Sequence, residues 1–317
     1  LMGQIIEGYC LVLVSLCIVG TSNSMSKKAL ITGVDSFTGQ HLSLYLKKYG
    51  YEVYGTSQIE SDEKIYKCDI TVQEDIVNVI KDVKPDYLIH LAGVSFVAHS
   101  NNNDFYKVNS VGSVNILDAL VATKHYPSKI IMVSSATVYG SQKIESLDEL
   151  LCCKPSNHYG ASKYSMECLA SAYFQKLNIL IARPFNYTGI GHSCDFLIPK
   201  IIKHYKDKSE TIELGNIDVT REFNDIEFVC EAYRKLLECD SKSKIVNIAS
   251  GRGVKLLSVI KHMNNIAKYK INVVTNQLFV RENEIDTLVG STKLLFDLVG
   301  EINQKDFSQT LREMYDA

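Results

Sequence analysis

A short apolar run at 29–32 (ALIT) leads without a break into Gly33, Val34, Asp35, Ser36, Phe37, Thr38 and Gly39. Beyond it Leu42, Tyr45, Leu46 and Tyr49 recur at the helical period. A buried strand, a glycine turn and a helix in that order constrain the fold more than any other feature of the chain. The rhythm then repeats: strand signals stand at 52–56, 87–91, 129–134 and 178–182, with helical stretches at about 73–83, 105–123 and 160–176. Strands alternating with helices give a parallel sheet with right-handed crossovers. Past Arg183 the alternation loosens into a helix at 196–205, a strand at 211–214, a helix at 225–239 and a strand at 244–248. The expected class is therefore α/β, a doubly wound parallel sheet with a smaller α/β C-terminal lobe.

The glycine turn has the form G-x-x-S-x-x-G, close to the phosphate-binding turn of a Rossmann sheet. Gly33 permits the tight turn and Gly39 the close approach of helix to strand. A pyrophosphate would sit over the helix N-terminus, beside Ser36, Phe37 and Thr38, where unpaired N–H groups and the dipole favour an anion. Ser36 stands in the place of the usual middle glycine, and its hydroxyl is within reach of phosphate. At the end of the second strand an acid selects NAD and an arginine accommodates NADP. Here that position offers Thr56, Ser57 and Gln58, neither acid nor arginine. The cofactor expected is NADP(H) or NAD(H), and the missing carboxylate tips the reading slightly toward NADP(H). Asp69 and Ile70 follow the third strand, where an aspartate holds an adenine amino group or simply caps a helix.

The domain boundaries follow. Residues 25–185 form the dinucleotide domain, with a returning segment at about 218–250, and 186–217 with 251–317 form the substrate lobe. Residues 9–19 are apolar apart from Ser15, shorter than the ~20 residues of a membrane span, and follow Glu7 rather than a basic residue. Residues 1–24 are read as a leader or non-native extension, and the protein as cytoplasmic. A formal charge of -2 and a pI near 6.5 leave no electrostatic footprint for nucleic acid or an anionic membrane. The nine cysteines contain no C-x-x-C pair, so reduced thiols are expected, without a disulfide framework or a metal site.

With 18 tyrosines in the chain, Tyr-x-x-x-Lys spacings arise by chance, and two occur. Tyr139 with Lys143 falls in a turn after a strand. Tyr159 with Lys163 opens a helical stretch, where the two side chains stack one turn apart. A free tyrosine, with pKa ~10, is a sluggish acid at neutral pH. A nearby lysine cation lowers that value. Ser134 and Ser135 end the strand at 129–134, where open α/β sheets bind ligands and where a hydroxyl can reach a carbonyl oxygen.

Together TGVDSFTG, CDI at 68–70, HLAG at 90–93, VNSVGSVNILDA at 108–119, SSATVYG at 134–140, YGASK at 159–163 and RPFNYTG at 183–189 resemble one family. It is the extended short-chain dehydrogenase/reductases that act on nucleotide sugars, the NAD-dependent epimerases and dehydratases. The resemblance runs from about Lys28 to the C-terminus. TREFNDI at 220–226, VRENEIDTLVGSTK at 280–293 and GVDSFTG are most similar to the branch that reduces GDP-linked 4-keto-6-deoxymannose. The resemblance implies that Ser135, Tyr159 and Lys163 are catalytic and that Leu91, Ala92, Gly93 and Asn109 belong to the cofactor site. Thr137, Asn186, Lys200, Arg221, Arg281 and Glu284 would serve the substrate, Asn186 and the two arginines holding its diphosphate.

Two departures accompany it: Ser36 for glycine, and Gly93 where HLAA is usual. Sugar 4,6-dehydratases of this family carry an acidic pair where Ala136 and Thr137 stand, which disfavours dehydration. The resemblance implies a C4 reductase of a nucleotide-diphosphate 4-keto-6-deoxyhexose, with a 4-epimerase holding NAD as the rival and a dehydratase or non-catalytic sensor behind. It also implies a homodimer through the helices at 105–123 and 160–176, which could equally be one-sided core helices.

Overall fold

The computed structural model describes residues 26–59, 61–95, 101–280 and 285–317; the expected extension over 1–24 lies outside them. The elements in chain order begin β1 (Lys28–Thr32), α1 (Phe37–Lys48), β2 (Glu52–Ser57), β3 (Ile65–Lys67), α2 (Gln73–Val83), β4 (Tyr87–His90), α3 (Asn102–Tyr106), α4 (Ser113–Ala122) and β5 (Lys129–Val133). They continue with α5 (His158–Ser171), β6 (Ile179–Pro184), β7 (Tyr187–Thr188), α6 (Leu197–Lys206), β8 (Thr211–Leu214), β9 (Thr220–Glu222), β10 (Asn224–Asp225) and α7 (Ile226–Glu238). Last come β11 (Lys244–Ile248), β12 (Gly253–Lys255), α8 (Leu256–Ala267), β13 (Asn272–Thr275), β14 (Thr287–Leu288), α9 (Lys293–Val299) and α10 (Phe307–Asp316).

Seven strands make one sheet in the order β3-β2-β1-β4-β5-β6-β11, parallel throughout. Ile31, Ile89, Ile131 and Leu180 lie side by side across four strands and face one way, with Ala29 and Ala182, against α1 and α7. Leu30, Leu88, Ile130, Met132, Ile179 and Ile181 face the other way, against α2, α4 and α5. Both faces are covered, so the strands read as unbroken apolar runs rather than as alternation. The strand order reverses between β1 and β4, which opens a crevice at their C-terminal ends. This is the α/β, doubly wound Rossmann sheet expected.

The second lobe has its own core, in which Ile201 of α6, Ile212 of β8, Val259 of α8 and Leu311 of α10 meet. Leu295 of α9 packs instead with α7 on the large sheet. A fourth cluster, of Tyr139, Leu147, Phe185, Ala249 and Leu288, joins the ends of the large sheet to the smaller strands.

The helix expected over 105–123 is interrupted by a π-helical turn, Lys107–Gly112. Such turns bring an extra residue inward and favour functional sites. Here the inward residue is Asn109, fully buried.

Candidate active site

The turn after β1 closes as the two glycines dictate. Gly33 sits at φ +69°, and a Cβ there would lie 2.9 Å from Ala92 Cα, so only glycine lets the turn pack on the segment after β4. The amides of Gly33 and Val34 donate to the Thr56 carbonyl at 2.9 and 3.1 Å, tying the turn to the end of β2. The Ser36 hydroxyl accepts from the Gly39 amide at 3.1 Å and donates to the Gly33 carbonyl at 2.7 Å. It therefore caps α1, and its proton is spent inside the turn rather than offered to phosphate. No acid stands in the first turn of α1, so that N-terminus keeps its affinity for an anion.

Phe37 stacks on His192 with ring centroids 4.3 Å apart, and Thr38 Oγ1 meets the Tyr187 hydroxyl at 2.8 Å. These contacts fasten the start of α1 to the segment after β6. Burial lowers the His192 pKa to about 4, so the stacked ring is neutral. At the other end of the crevice Thr56 and Ser57 are buried. Asp69 accepts from the Thr71 amide and hydroxyl at 2.9 and 2.8 Å, which holds its carboxyl below the usual range. Ile70 is buried and packs over Gly112.

β4 delivers the next group. His90 bridges Thr32 Oγ1 at 2.7 Å and Ser113 Oγ at 2.8 Å; burial, then the Lys163 charge, lower its pKa to about 3. The amides of Leu91 and Ala92 donate to Thr32, to its carbonyl and hydroxyl, each at 3.2 Å. Asn109 accepts from the Val94 amide at 2.8 Å and donates to the Val94 carbonyl and Ser162 Oγ, each at 3.0 Å. A Cβ at Gly93 would stand 2.8 Å from Asn109 Oδ1 and 3.3 Å from Lys163 Nζ. An alanine there would require the Asn109 amide to shift.

Ser135 follows β5 and accepts from the Thr137 amide at 3.2 Å and the Thr137 hydroxyl at 3.0 Å. α5 is capped by Asn157, whose side chain accepts from the Gly160 amide at 2.8 Å, so Tyr159 and Lys163 share one face of its first turns. Lys163 Nζ donates to the Val133 carbonyl at 2.9 Å, and burial lowers its pKa to about 8 against the opposing charge of Glu167. Burial raises Tyr159 to about 12; a hydrogen bond with Ser135 acts the other way and Tyr187 adds to the rise. The lowering of Tyr159 by Lys163 expected from the spacing is thus not what governs it. Burial dominates, while Lys163 is turned to a backbone carbonyl.

The other Tyr-x-x-x-Lys pair is unlike this one. Tyr139 is fully buried, donates to Asn247 Oδ1 at 2.7 Å and lies under the Arg183 guanidinium, 4.8 Å away; Lys143 is exposed. One turn below Lys163, Glu167 binds Arg183 Nε and Nη2 at 2.9 and 2.6 Å and accepts from Ser134 Oγ.

On the lobe side, Thr137 stands next to Ser135, and Asn186 is exposed just past β6, its carbonyl accepting from the Asn224 amide at 2.8 Å. Arg221 lies in β9 and donates to the Thr220 and Asp286 carbonyls at 2.9 and 3.2 Å. Lys200 donates to the Glu213 carbonyl at 3.1 Å and sits 4.5 Å from the Phe279 ring centre. Arg281 and Glu284 lie outside the described residues.

Residues 29–249 carry the pattern of the NAD dependent epimerase/dehydratase family. The chain belongs to that family. It is 32% identical to the GDP-6-deoxy-D-talose 4-dehydrogenase of Aggregatibacter actinomycetemcomitans, over 91% of this chain and 97% of that protein. It is 27% identical to the GDP-6-deoxy-D-mannose reductase of Pseudomonas aeruginosa, over 91% of this chain and 96% of that one. The structure of RMD from Pseudomonas aeruginosa complexed with NADPH matches with a TM-score of 0.80 at 27% identity, covering 92% of this chain and 97% of that one. The protein is an NAD(P)-dependent oxidoreductase-type enzyme, and its crevice fits such a dinucleotide. Gly33 clears the backbone, the first turn of α1 carries no acid, and the Lys163 side chain is buried beside Gly93.

Tyr159 and Lys163 are marked by their spacing, whereas Glu167, four residues further on the same face of α5, has no sequence signal beyond that periodicity. His90 and Tyr187 lie inside the HLAG and RPFNYTG segments, and those motifs are their only sequence signal. Among the described residues no helix is long and apolar enough to cross a membrane.

Proposed function

We propose that the protein uses NADPH or NADH to reduce the C4 keto group of a nucleotide-diphosphate-linked 4-keto-6-deoxyhexose, with a GDP sugar the favoured substrate. The observation that carries this reading is geometric: Asn157 caps α5 so that Tyr159 and Lys163 lie one turn apart on one face, with Ser135 hydrogen-bonded to Tyr159 beside the end of β5. Burial keeps the Tyr159 phenol protonated at neutral pH, and reduction needs a donor to the oxygen that becomes an alkoxide, with the Lys163 charge offsetting the cost of the phenolate. Both GDP-sugar relatives, a 4-dehydrogenase and a reductase, support the substrate class.

Bound in the crevice, the dinucleotide supplies the hydride. The chain does the rest. Ser135 donates a hydrogen bond to the C4 carbonyl oxygen, and Tyr159 passes its phenolic proton to the same oxygen as the carbon–oxygen π bond becomes a C–H and an O–H. The Lys163 ammonium stabilises the phenolate left behind, which regains a proton from solvent. Gly33, Phe37, Thr38, Gly39, Thr56, Ser57, Asp69, Ile70, Leu91, Ala92, Gly93 and Asn109 line or support the cofactor crevice. Ser36 contributes by capping α1. Asn186, Arg221 and Arg281 hold the nucleotide diphosphate, and Thr137, Lys200 and Glu284 contact the rest of the substrate. Ala136 and Thr137 hold no carboxyl group for elimination, which separates this site from a dehydratase. Tyr106, Val111 and Leu169 expose apolar surface along α3 to α5, in keeping with a homodimer.

The test is cofactor turnover. Purified protein given a GDP-4-keto-6-deoxyhexose should oxidise one NAD(P)H per sugar and exchange the product cofactor freely. Stoichiometric NAD that resists dialysis, with no net oxidation, would point to a 4-epimerase instead.

A further inference from the structure

The end of β2 carries no acid of its own, yet a carboxylate stands against it. Asp35, in the middle of the glycine turn, accepts a hydrogen bond from Ser57 Oγ at 2.8 Å. The backbone around it is pinned from several sides. Gly33 and Val34 donate to the Thr56 carbonyl, and Gln40 Nε2 donates to the Asp35 carbonyl at 2.9 Å. Ser57 Oγ in turn accepts from the Ile59 amide at 3.1 Å. Asp35 is half-buried, which leaves part of the residue accessible beside Ser57.

We infer that Asp35, held on the end of β2 by Ser57, is the residue that chooses between the two dinucleotides and makes the enzyme prefer NAD(H). An ionised carboxylate has about four acceptor sites, and Ser57 fills one of them. The ribose 2′-hydroxyl of NAD is a donor that suits another. The 2′-phosphate of NADP carries a charge of about -1.5 to -2 and offers no donor once ionised, so it meets repulsion instead. In dinucleotide folds an acid at this strand end reads that hydroxyl; here the acid comes from the loop before the helix. The inference opposes the leaning toward NADP(H) drawn from Thr56, Ser57 and Gln58 alone. A cation that could serve a 2′-phosphate is Lys67, which stands opposite Ser57 in the β2–β3 register and is exposed. The inference rests on the crevice binding a dinucleotide and not on the identity of the sugar.

Binding of NADH and of NADPH to the whole protein, without sugar, is measured by nicotinamide fluorescence. The wild type should bind NADH at least tenfold more tightly, tenfold being about 1.4 kcal/mol. Asp35→Asn keeps the shape and an oxygen for Ser57 but removes the charge. It should shrink the preference by about tenfold or more, mainly by tightening NADPH. Asp35→Ser, a smaller change to the turn, should move it the same way, and Lys67→Ala should leave the ratio as it was. A wild type that binds NADPH as tightly as NADH, or a ratio untouched by both Asp35 variants, overturns the inference. So does a loss of NADPH binding in Lys67→Ala alone. If neither nucleotide binds the wild type, the dinucleotide reading falls and this inference with it.

Discussion

Glu167 and Arg183 are each 2% exposed and joined by two hydrogen bonds, at 2.9 and 2.6 Å, on the wall beside the reacting groups. Burial opposes the guanidinium charge, and the bonds and charge of Glu167 outweigh it, so Arg183 stays ionised. Its Nη1 is buried without a partner. Glu167→Leu would leave that cation with the Cys153 sulfur at 3.1 Å and the Tyr139 ring as its remaining neighbours. Breaking a buried pair on one side costs about 3–5 kcal/mol, because the surviving charge is stranded. For a domain of this size that is a fall in Tm of roughly 5–8 °C. Arg183→Met should cost a similar amount, stranding Glu167 with Ser134 as its donor. The double variant strands nothing and should be more stable than either single one. Urea unfolding of the four proteins closes the cycle and should yield a coupling of at least ~3 kcal/mol. Single losses under ~1 kcal/mol, or a double equal to the sum of the two, would refute the reasoning.

The remaining predictions concern the site itself. Tyr159→Phe should lower kcat by ~10²–10⁴ with cofactor binding kept, whereas Tyr139→Phe should instead lower stability by about 1–3 kcal/mol by stranding Asn247 Oδ1; stopped-flow rates and urea melts tell them apart. Lys163, lowered to about 8, loses its charge as pH rises through that value, so NAD(P)H affinity of the free enzyme should decline above pH 8 and be flat in Lys163→Met. The same group should make stability climb between pH 8 and the unfolded lysine pKa of ~10.4, since the unfolded chain binds the extra proton there. Arg221→Ala should raise KM for a nucleotide sugar roughly 10- to 150-fold with a smaller change in kcat, and Arg221→Lys should recover only part of it; an unchanged KM would remove Arg221 from the substrate site.

What could be read from the residues was what depends on local periodicity. The stretch at 73–83 is α2 to the residue, and 211–214 and 244–248 are β8 and β11, because each is an apolar pattern bounded by turn residues. The π turn at 107–112 was not legible, since Asn109, the residue it brings inward, bonds Val94 and Ser162, partners distant in sequence. Electrostatics were the least legible. Spacing brings Tyr159 and Lys163 onto one face, but it carries no information on burial, and burial decides the pKa of both. Asp35 was visible in the turn, yet its meeting with Ser57 depends on how the turn folds over β2.

The central claim, hydride delivery to C4 of a nucleotide-linked keto sugar, is tested most directly by isotope. The enzyme is given a GDP-4-keto-6-deoxyhexose with NAD(P)H carrying deuterium at the transferable nicotinamide position, and the product is examined by NMR. Deuterium should appear at C4 of the sugar, one per molecule, and Tyr159→Phe should suppress it. Product unlabelled at C4, or keto sugar returned unreduced while the wild-type enzyme binds its cofactor, would contradict the account.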